Sequence, residues 1–250
     1  MRVPHSITLS AGPFTALLPA AGFSRRMGEV CREKSKTLLE LSDSSSILTR
    51  TLRSILDSQV CKRIVIAVRP EDEPEIRAVL ATLRSDVPID LVPGGATRQD
   101  SVASALAAVD DPDGFVFVHD AARPFCPPEK IQDVCRSAQI SGAAILALPV
   151  KPTLKEVGPD HHIRRTVPRT MIWEAQTPQA FKLSVLLDAH EKARADAFQG
   201  TDESELVERL GVPVTVVFGS EQNVKITSPG DLLLAEAISR AIVSSVQRSL

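Results

Sequence analysis

Between Phe14 and Met27 the chain reads F-T-A-L-L-P-A-A-G-F-S-R-R-M. The apolar run Phe14–Leu18 has the character of a buried strand, and it stops at Pro19. Ala20, Ala21 and Gly22 follow, small residues that let a ligand approach the backbone closely. Unpaired N–H groups in such a turn can face an anion. Arg25 and Arg26 then add two guanidiniums, whose geometry suits phosphate oxygens. The chemistry implied is the binding of nucleotide phosphates. After Gly22 the next glycine is Gly28, so the G-x-G-x-x-G dinucleotide fingerprint is absent, and no G-K-[ST] follows. Taken alone, the segment reads equally well as an ordinary strand-to-helix turn with solvated arginines.

Other segments carry polar groups in suggestive places. V-H-D-A-A-R-P-F puts Asp120 and Arg123 just past the apolar run Phe115–Val118, as ligand contacts or as a local ion pair. In P-G-G-A-T-R-Q-D-S-V, Gly94 and Gly95 permit close approach and Ser101 marks the start of a helix; a glycine turn with a capping residue would look the same. Thr177–Phe181 and Gly200–Glu203 read as loops with helix-starting chemistry, and Asn223–Thr227 as a β-type run bearing Lys225. His119 suits a strand-end structural role, while His161 and His162 fall at an exposed turn. Cysteines 31, 61, 126 and 135 form no C-x-x-C and no metal-ligand spacing with histidine, so they read as reduced thiols.

These residues need a scaffold. Apolar strand-like runs recur at Ala16–Leu18, Ile64–Val68, Ile89–Val92, Phe115–Val118, Ala144–Val150 and Val214–Phe218. Helical periodicity fills Ile47–Leu56, Ile76–Leu83, Ser101–Val109 and Ile131–Ser141. Fully apolar strands alternating with helices predict an α/β, Rossmann-like fold with a largely parallel sheet covered on both faces. Ligands gather at the carboxyl ends of such strands, so the loops after Leu18, Val92, Val118 and Val150 should hold the site. Residues 151–170 break the rhythm: two short β-type runs flank Gly158-Pro159-Asp160, a hairpin too polar for the core. A lone hairpin is marginal, so this protruding arm is expected to pack on a second subunit. Asp231–Val246 reads as an amphipathic closing helix.

At 250 residues one domain spanning 1–250 is expected. A net charge of −2 gives no general reason to bind nucleic acid or an anionic membrane, so charge for phosphate must be local. Aromatic residues at 4%, with no tyrosine, speak against base stacking on a nucleic acid. No apolar run approaches a membrane span, no signal sequence opens the chain, and the cytoplasm is the expected location.

The order of the segments carries more than any one of them. P-A-A-G-F-S-R-R-M, G-G-A-T-R-Q-D-S-V, V-H-D-A-A-R-P, P-V-K-P-T-L-K, R-T-V-P-R, W-E-A-Q-T-P-Q-A-F, T-D-E-S and N-V-K-I-T stand here in one chain. From about Phe14 to Ile238 the chain resembles the 2-C-methyl-D-erythritol 4-phosphate cytidylyltransferases of non-mevalonate isoprenoid biosynthesis. The resemblance implies transfer of a cytidylyl group from CTP to methylerythritol phosphate. It places Pro19, Ala20, Ala21 and Gly22 along the CTP phosphates, Arg26 as a catalytic cation with Arg25 beside it, and Gly95 and Ser101 at the cytosine. Lys225 falls near the triphosphate, and Asp120, Arg123 and Thr201 at the methylerythritol phosphate site. Mg²⁺ would be held mainly through CTP phosphates, with no protein metal ligand. The arm would embrace the other subunit of a homodimer and send Thr153 and Arg169 into its partner's site.

Two departures matter. The family's P-K-Q segment is replaced by G-E-V-C-R-E-K-S-K-T-L-L-E-L, and aligning T-L-L-E-L selects Lys36 as the second catalytic cation, whereas conserving spacing selects Lys34. The family's G-G-D is G-G-A here, so Ala96 brings no carboxylate to the cytosine. Drift of this kind leaves two other readings open: a cytidylyltransferase acting on ribitol 5-phosphate, and a nucleotide-binding regulator without catalysis.

Overall fold

The computed structural model describes residues 14–22, 26–28, 35–111 and 113–247, with side chains followed to 242. Nine strands and seven α-helices are described along the chain. The first half alternates β1 (Phe14–Pro19), α1 (Ile47–Asp57), β2 (Cys61–Val68), α2 (Glu73–Thr82), β3 (Ile89–Pro93), α3 (Arg98–Ala107), β4 (Phe115–Val118) and α4 (Pro128–Ser141). Then come β5 (Ala143–Pro149), the hairpin β6 (Leu154–Val157) and β7 (Ile163–Val167), β8 (Trp173–Lys182), α5 (Leu183–Ala195), α6 (Glu203–Glu208), β9 (Thr215–Phe218) and α7 (Pro229–Gln247).

Seven strands form one sheet in the order β3-β2-β1-β4-β8-β5-β9. β1 pairs in parallel with both β2 and β4, so the chain winds outward in one direction as far as β3 and then returns to the other side of β1. That reversal opens a crevice at the carboxyl ends of β1 and β4, the usual ligand position in an open α/β sheet. Strand alternation divides the core. Phe14, Leu18, Ile64, Ile66 and Phe117 face α1, α2 and α4, while Leu17, Val65, Val116, Val118 and Phe181 face α3, α5 and α6.

Two local expectations fail. Thr177–Phe181 is not a loop but the heart of β8, a ten-residue strand antiparallel to both β4 and β5. Its interior carries Gln176, Thr177, Pro178 and Gln179, which hid it from an apolarity criterion, although Ala180 and Phe181 are fully buried. Asn223–Thr227 is in turn not a strand but an extended connection, held by side-chain bonds described below. The hairpin forms as expected, a separate two-stranded sheet with mostly exposed residues, and His161 sits in its turn with φ 58°.

The strand end that leads into the crevice is fixed by a buried imidazole. His119 follows β4, and its backbone N–H donates to the Leu17 carbonyl of β1 at 3.0 Å. On the ring, Nε2 lies 3.3 Å from the Arg123 carbonyl, which can only accept, so Nε2 carries the proton. Nδ1 therefore accepts from the Thr177 hydroxyl at 3.0 Å, and that hydroxyl oxygen accepts from the Asp120 backbone N–H at 3.0 Å. β8 thereby dictates the course of the loop after β4.

Burial pushes the imidazoles of His119 and of His190, on α5, down to about 4. An unfolded histidine titrates near 6.5, so between those two values the unfolded chain binds more protons. The stabilisation from neutral burial is complete above about pH 6.5 and is lost as pH falls toward 4, by roughly 3 kcal/mol per imidazole. Glu203, whose carboxyl is raised by burial, works with the opposite sign at the acid end. The diagnostic is therefore a difference: His190→Leu should show a shallower fall in thermal midpoint from pH 6.5 to 4 than the parent chain. Parallel curves would show that His190 is not buried neutral.

Candidate active site

Three strand-end loops and two cross-connections enclose a cavity of about 370 Å³. Pro19, Ala20, Ala21 and Gly22 form one wall, directly off β1. Ala20 N–H donates to the Ala67 carbonyl at 2.8 Å, which keeps this wall in register with the sheet. Opposite lies the loop after β3. A Cβ at Gly94 would fall on Ala21, and one at Gly95 on Asp100, so both glycines are required by the tightness of this turn. The helix cap is Thr97 rather than Ser101: α3 begins at Arg98, with Thr97 and Asp100 forming a reciprocal capping box. Ser101 lies one turn inside, where its hydroxyl donates to the Thr97 carbonyl at 2.9 Å and accepts from Gly95 N–H at 3.1 Å. It braces the glycine loop.

Arg26 and Lys36 are held by a small separate core. Met27 is fully buried with Leu41, Ile47, Phe125 and Ile226, seating a short 3-10 turn from which Arg26 reaches the cavity. Lys36 opens a second 3-10 turn, capped by the Ser35 hydroxyl, and also lines the cavity. Arg25 and Lys34 lie outside the described residues.

The far side of the cavity, by contrast, is a buried ion cluster. Asp120 Oδ1 is 3.0 Å from Arg98 Nε, and Oδ2 is 2.8 Å from Lys225 Nζ and 3.4 Å from Arg123 Nε. Burial alone would raise the Asp120 carboxyl, but the charges of Arg98, Lys225 and Arg123 outweigh it and hold it ionised far below the usual range. Arg98 in turn is gripped from behind, its Nη1 lying 2.8 Å from both carboxylate oxygens of Glu203. Glu203 is 1% exposed, and burial raises its carboxyl even with Arg98 beside it. Arg123 Nη1 also donates to the Asn223 carbonyl at 2.7 Å, and Ile226 N–H to the Ala122 carbonyl at 2.9 Å. Asn223 Nδ2 donates to the Thr177 carbonyl at 2.8 Å. Those bonds, rather than strand pairing, hold the extended connection that presents Lys225.

The structure therefore gathers Pro19, Ala20, Ala21, Gly22, Arg26, Lys36, Gly95, Ser101, Asp120 and Lys225 around one cavity. Arg123 stands behind Asp120 as a brace, outside the lining. Thr201 is exposed, bonded through its N–H and hydroxyl to Glu205, and also lies outside it. Thr153 and Arg169 sit on the exposed arm, with Arg169 bonded to the Lys151 carbonyl, away from their own chain's cavity. Sequence reasoning passed over Arg98 and Glu203. Both stand inside quoted motifs, but no spacing rule joins residues 105 positions apart.

Among the described residues, four cationic side chains, Arg26, Lys36, Arg98 and Lys225, line the cavity against one carboxylate, Asp120. Such a wall suits polyanions, and the chain's overall charge gives no hint of it. Since Asp120 is committed to three cations, the described lining has no carboxylate to spare for a metal, and no group of three His, Cys, Asp or Glu suited to one occurs among the described residues. Among them, too, no helix is long and apolar enough to cross a membrane.

Known proteins match nearly the whole chain. A protein from Bacillus licheniformis named 2-C-methyl-D-erythritol 4-phosphate cytidylyltransferase is 41% identical over 228 residues, 91% of this chain and 96% of that protein. One of the same name from Bacillus thuringiensis is 42% identical over 224 residues, 90% of this chain and 96% of its own length. Among solved structures, 4-diphosphocytidyl-2C-methyl-D-erythritol synthase from Anaerococcus prevotii superposes with a TM-score of 0.79 at 29% identity, over 92% of this chain and 99% of that one. The cytidylyltransferase of Thermus thermophilus gives 0.74 at 35% identity, over 91% and 99%. With the family profile matching residues 14–241, this chain belongs to the 2-C-methyl-D-erythritol 4-phosphate cytidylyltransferase family.

Proposed function

We propose that the chain transfers CMP from CTP to 2-C-methyl-D-erythritol 4-phosphate, giving 4-diphosphocytidyl-2-C-methyl-D-erythritol and pyrophosphate. The observation that carries this reading is the cavity's division. Backbone and cations form one end, and the locked Asp120 cluster forms the other, in a member of this family.

The acceptor's phosphate oxygen attacks the α-phosphorus of CTP in line, and the bond from that phosphorus to the pyrophosphate oxygen breaks. A phosphate oxygen is already ionised, so no general base is needed. The protein must bring two anions together and stabilise the crowded charge between them. Pro19–Gly22 run along the triphosphate, while Arg26 and Lys36 supply charge to the α-phosphate and the leaving pyrophosphate. Gly95 and the Ser101-braced loop meet the cytosine through backbone groups, since Ala96 has no carboxylate. Asp120 offers its carboxylate to acceptor hydroxyls, with Lys225 beside it for phosphate charge. Mg²⁺, held by CTP phosphate oxygens and water, would neutralise part of the triphosphate charge.

The working unit is a homodimer with composite sites. Thr153 and Arg169 have no role in their own cavity, and they ride on an arm with exposed Val157 and Ile163. At its base Trp173 meets Phe218 edge-on, ring centroids 5.3 Å apart, and both remain exposed. Exposed aromatic and aliphatic groups of this kind are what a partner surface covers. Arg169→Ala should therefore reduce acceptor turnover, and mixing it with Arg26→Ala protomers should restore some activity. A mixture no more active than its components would exclude sharing of sites between subunits.

Acceptor choice is tested by pyrophosphate release with methylerythritol phosphate, with ribitol 5-phosphate and with neither. Activity is expected with the first alone; activity confined to ribitol phosphate, or CTP binding without turnover, would overturn the proposal. Arg26→Ala and Lys36→Ala should each lower kcat on the order of 10²-fold or more with little change in thermal midpoint. Parental kcat in Lys36→Ala would move the second cation elsewhere.

A further inference from the structure

Arg98 stands between two carboxylates that never touch each other's oxygens. Its Nε faces Asp120 Oδ1 at 3.0 Å, and its Nη1 faces both oxygens of Glu203 at 2.8 Å. Asp120 is consequently held from two sides. Arg98 takes Oδ1, while Lys225 and Arg123 take Oδ2, which fixes the rotation of the carboxylate as well as its charge. Lys225 reaches it along a flexible stem, and Arg123 is the more distant partner at 3.4 Å. Arg98 approaches with a planar fork whose other edge is pinned by a buried carboxylate.

Glu203 is itself fixed. It is the first residue of α6, which is capped by Asp202, and Gln179 of β8 donates to Asp202 Oδ2 at 2.8 Å and accepts from Ser204 N–H at 3.2 Å. From the other direction, Gln99 next to Arg98 accepts from Gly200 N–H at 2.9 Å and donates to the Phe198 carbonyl at 3.2 Å. Two independent sets of bonds thus tie the start of α3 to the segment 198–204.

We propose that Arg98, clamped by Glu203, is the positioning residue that sets the orientation of Asp120 toward the acceptor's hydroxyl groups. The inference rests on the functional reading above and deepens it: a polyol phosphate is recognised through a carboxylate whose direction is set by Arg98, itself held by Glu203. Arg98 acts through Asp120, and its loss falls on the acceptor more than on CTP.

The experiment is a double-mutant cycle on the full-length protein, using Arg98→Gln, Arg98→Lys, Glu203→Gln, Asp120→Asn and the combined Arg98→Gln/Asp120→Asn variant. The readouts are KM for each substrate, kcat and calorimetric CTP affinity. Arg98→Gln should raise acceptor KM at least tenfold while CTP affinity changes less than threefold. Arg98→Lys should recover only part of that loss, and Glu203→Gln should show the same split in smaller measure. In the Asp120→Asn background, Arg98→Gln should cost little more, because the group it orients is gone. Equal losses for CTP and acceptor, or full additivity in the cycle, would overturn the proposal. Should Arg98→Gln fail to fold, Glu203→Gln and Arg98→Lys decide it by the same KM split. A parent enzyme inactive with methylerythritol phosphate would instead refute the functional reading, a distinguishable result.

Discussion

A buried carboxylate must be either neutral or surrounded, and Asp120 is surrounded. Satisfying it requires cations from three directions: Arg98 at the start of α3, Arg123 from its own loop and Lys225 from the connection after β9. Each of those must in turn be fixed. Arg98 needs Glu203, Arg123 needs the Asn223 carbonyl, and the loop carrying Asp120 needs His119 and Thr177. Removing one member of such a cluster leaves an unpaired charge, typically costing about 3–5 kcal/mol. The Asp120 end of the cavity is therefore rigid because its electrostatics permit little else.

The opposite end, built from the loops after β1 and β3, obeys a different constraint. Its wall is backbone and small side chains, set close by Gly94 and Gly95 and braced by Ser101. Arg26 is exposed and Lys36 half-buried, and both line the cavity. The division suits a reaction between two anions. Hydroxyl groups are best read by directional hydrogen bonds, whereas charge developing at phosphorus is best met by cations and oriented N–H groups.

How far this was legible in the sequence follows from what each residue depends on. Apolar runs such as Ile64–Val68 declare themselves, because a strand buried on both faces without side-chain partners for polar groups is built from apolar residues. β8 did not, since its polar Gln176, Thr177 and Gln179 are buried to bond Ser220, His119 and Asp202 rather than exposed to water. Asn223–Thr227 reads as a strand because Val224, Ile226 and Thr227 are β-branched, yet its backbone is committed to Ala122 and Arg123. Motif order located Asp120, Arg123 and Lys225 near one site, but the Arg98–Glu203 pair spans 105 positions and only the fold joins them. Arg123 and Thr201 are of ligand-suited type, and the fold adds what the sequence does not show, the neighbours that hold them: Asp120 and Glu205.

The replaced lysine segment shows why a motif can change while its function keeps its place. Arg26 is located by Met27, and Lys36 by the residues that follow it, since Thr37 and Leu41 are buried and Leu39 packs with Met27 and Ile47. The two cations are thus indexed to one small core rather than to each other along the chain. The entropic cost of a longer connection grows only slowly with its length. A segment without P-K-Q and with altered spacing can therefore still deliver a lysine to the cavity wall, provided the apolar run after it keeps its register. Register against Ile47, rather than distance from Arg26, is what sets Lys36 on the cavity wall.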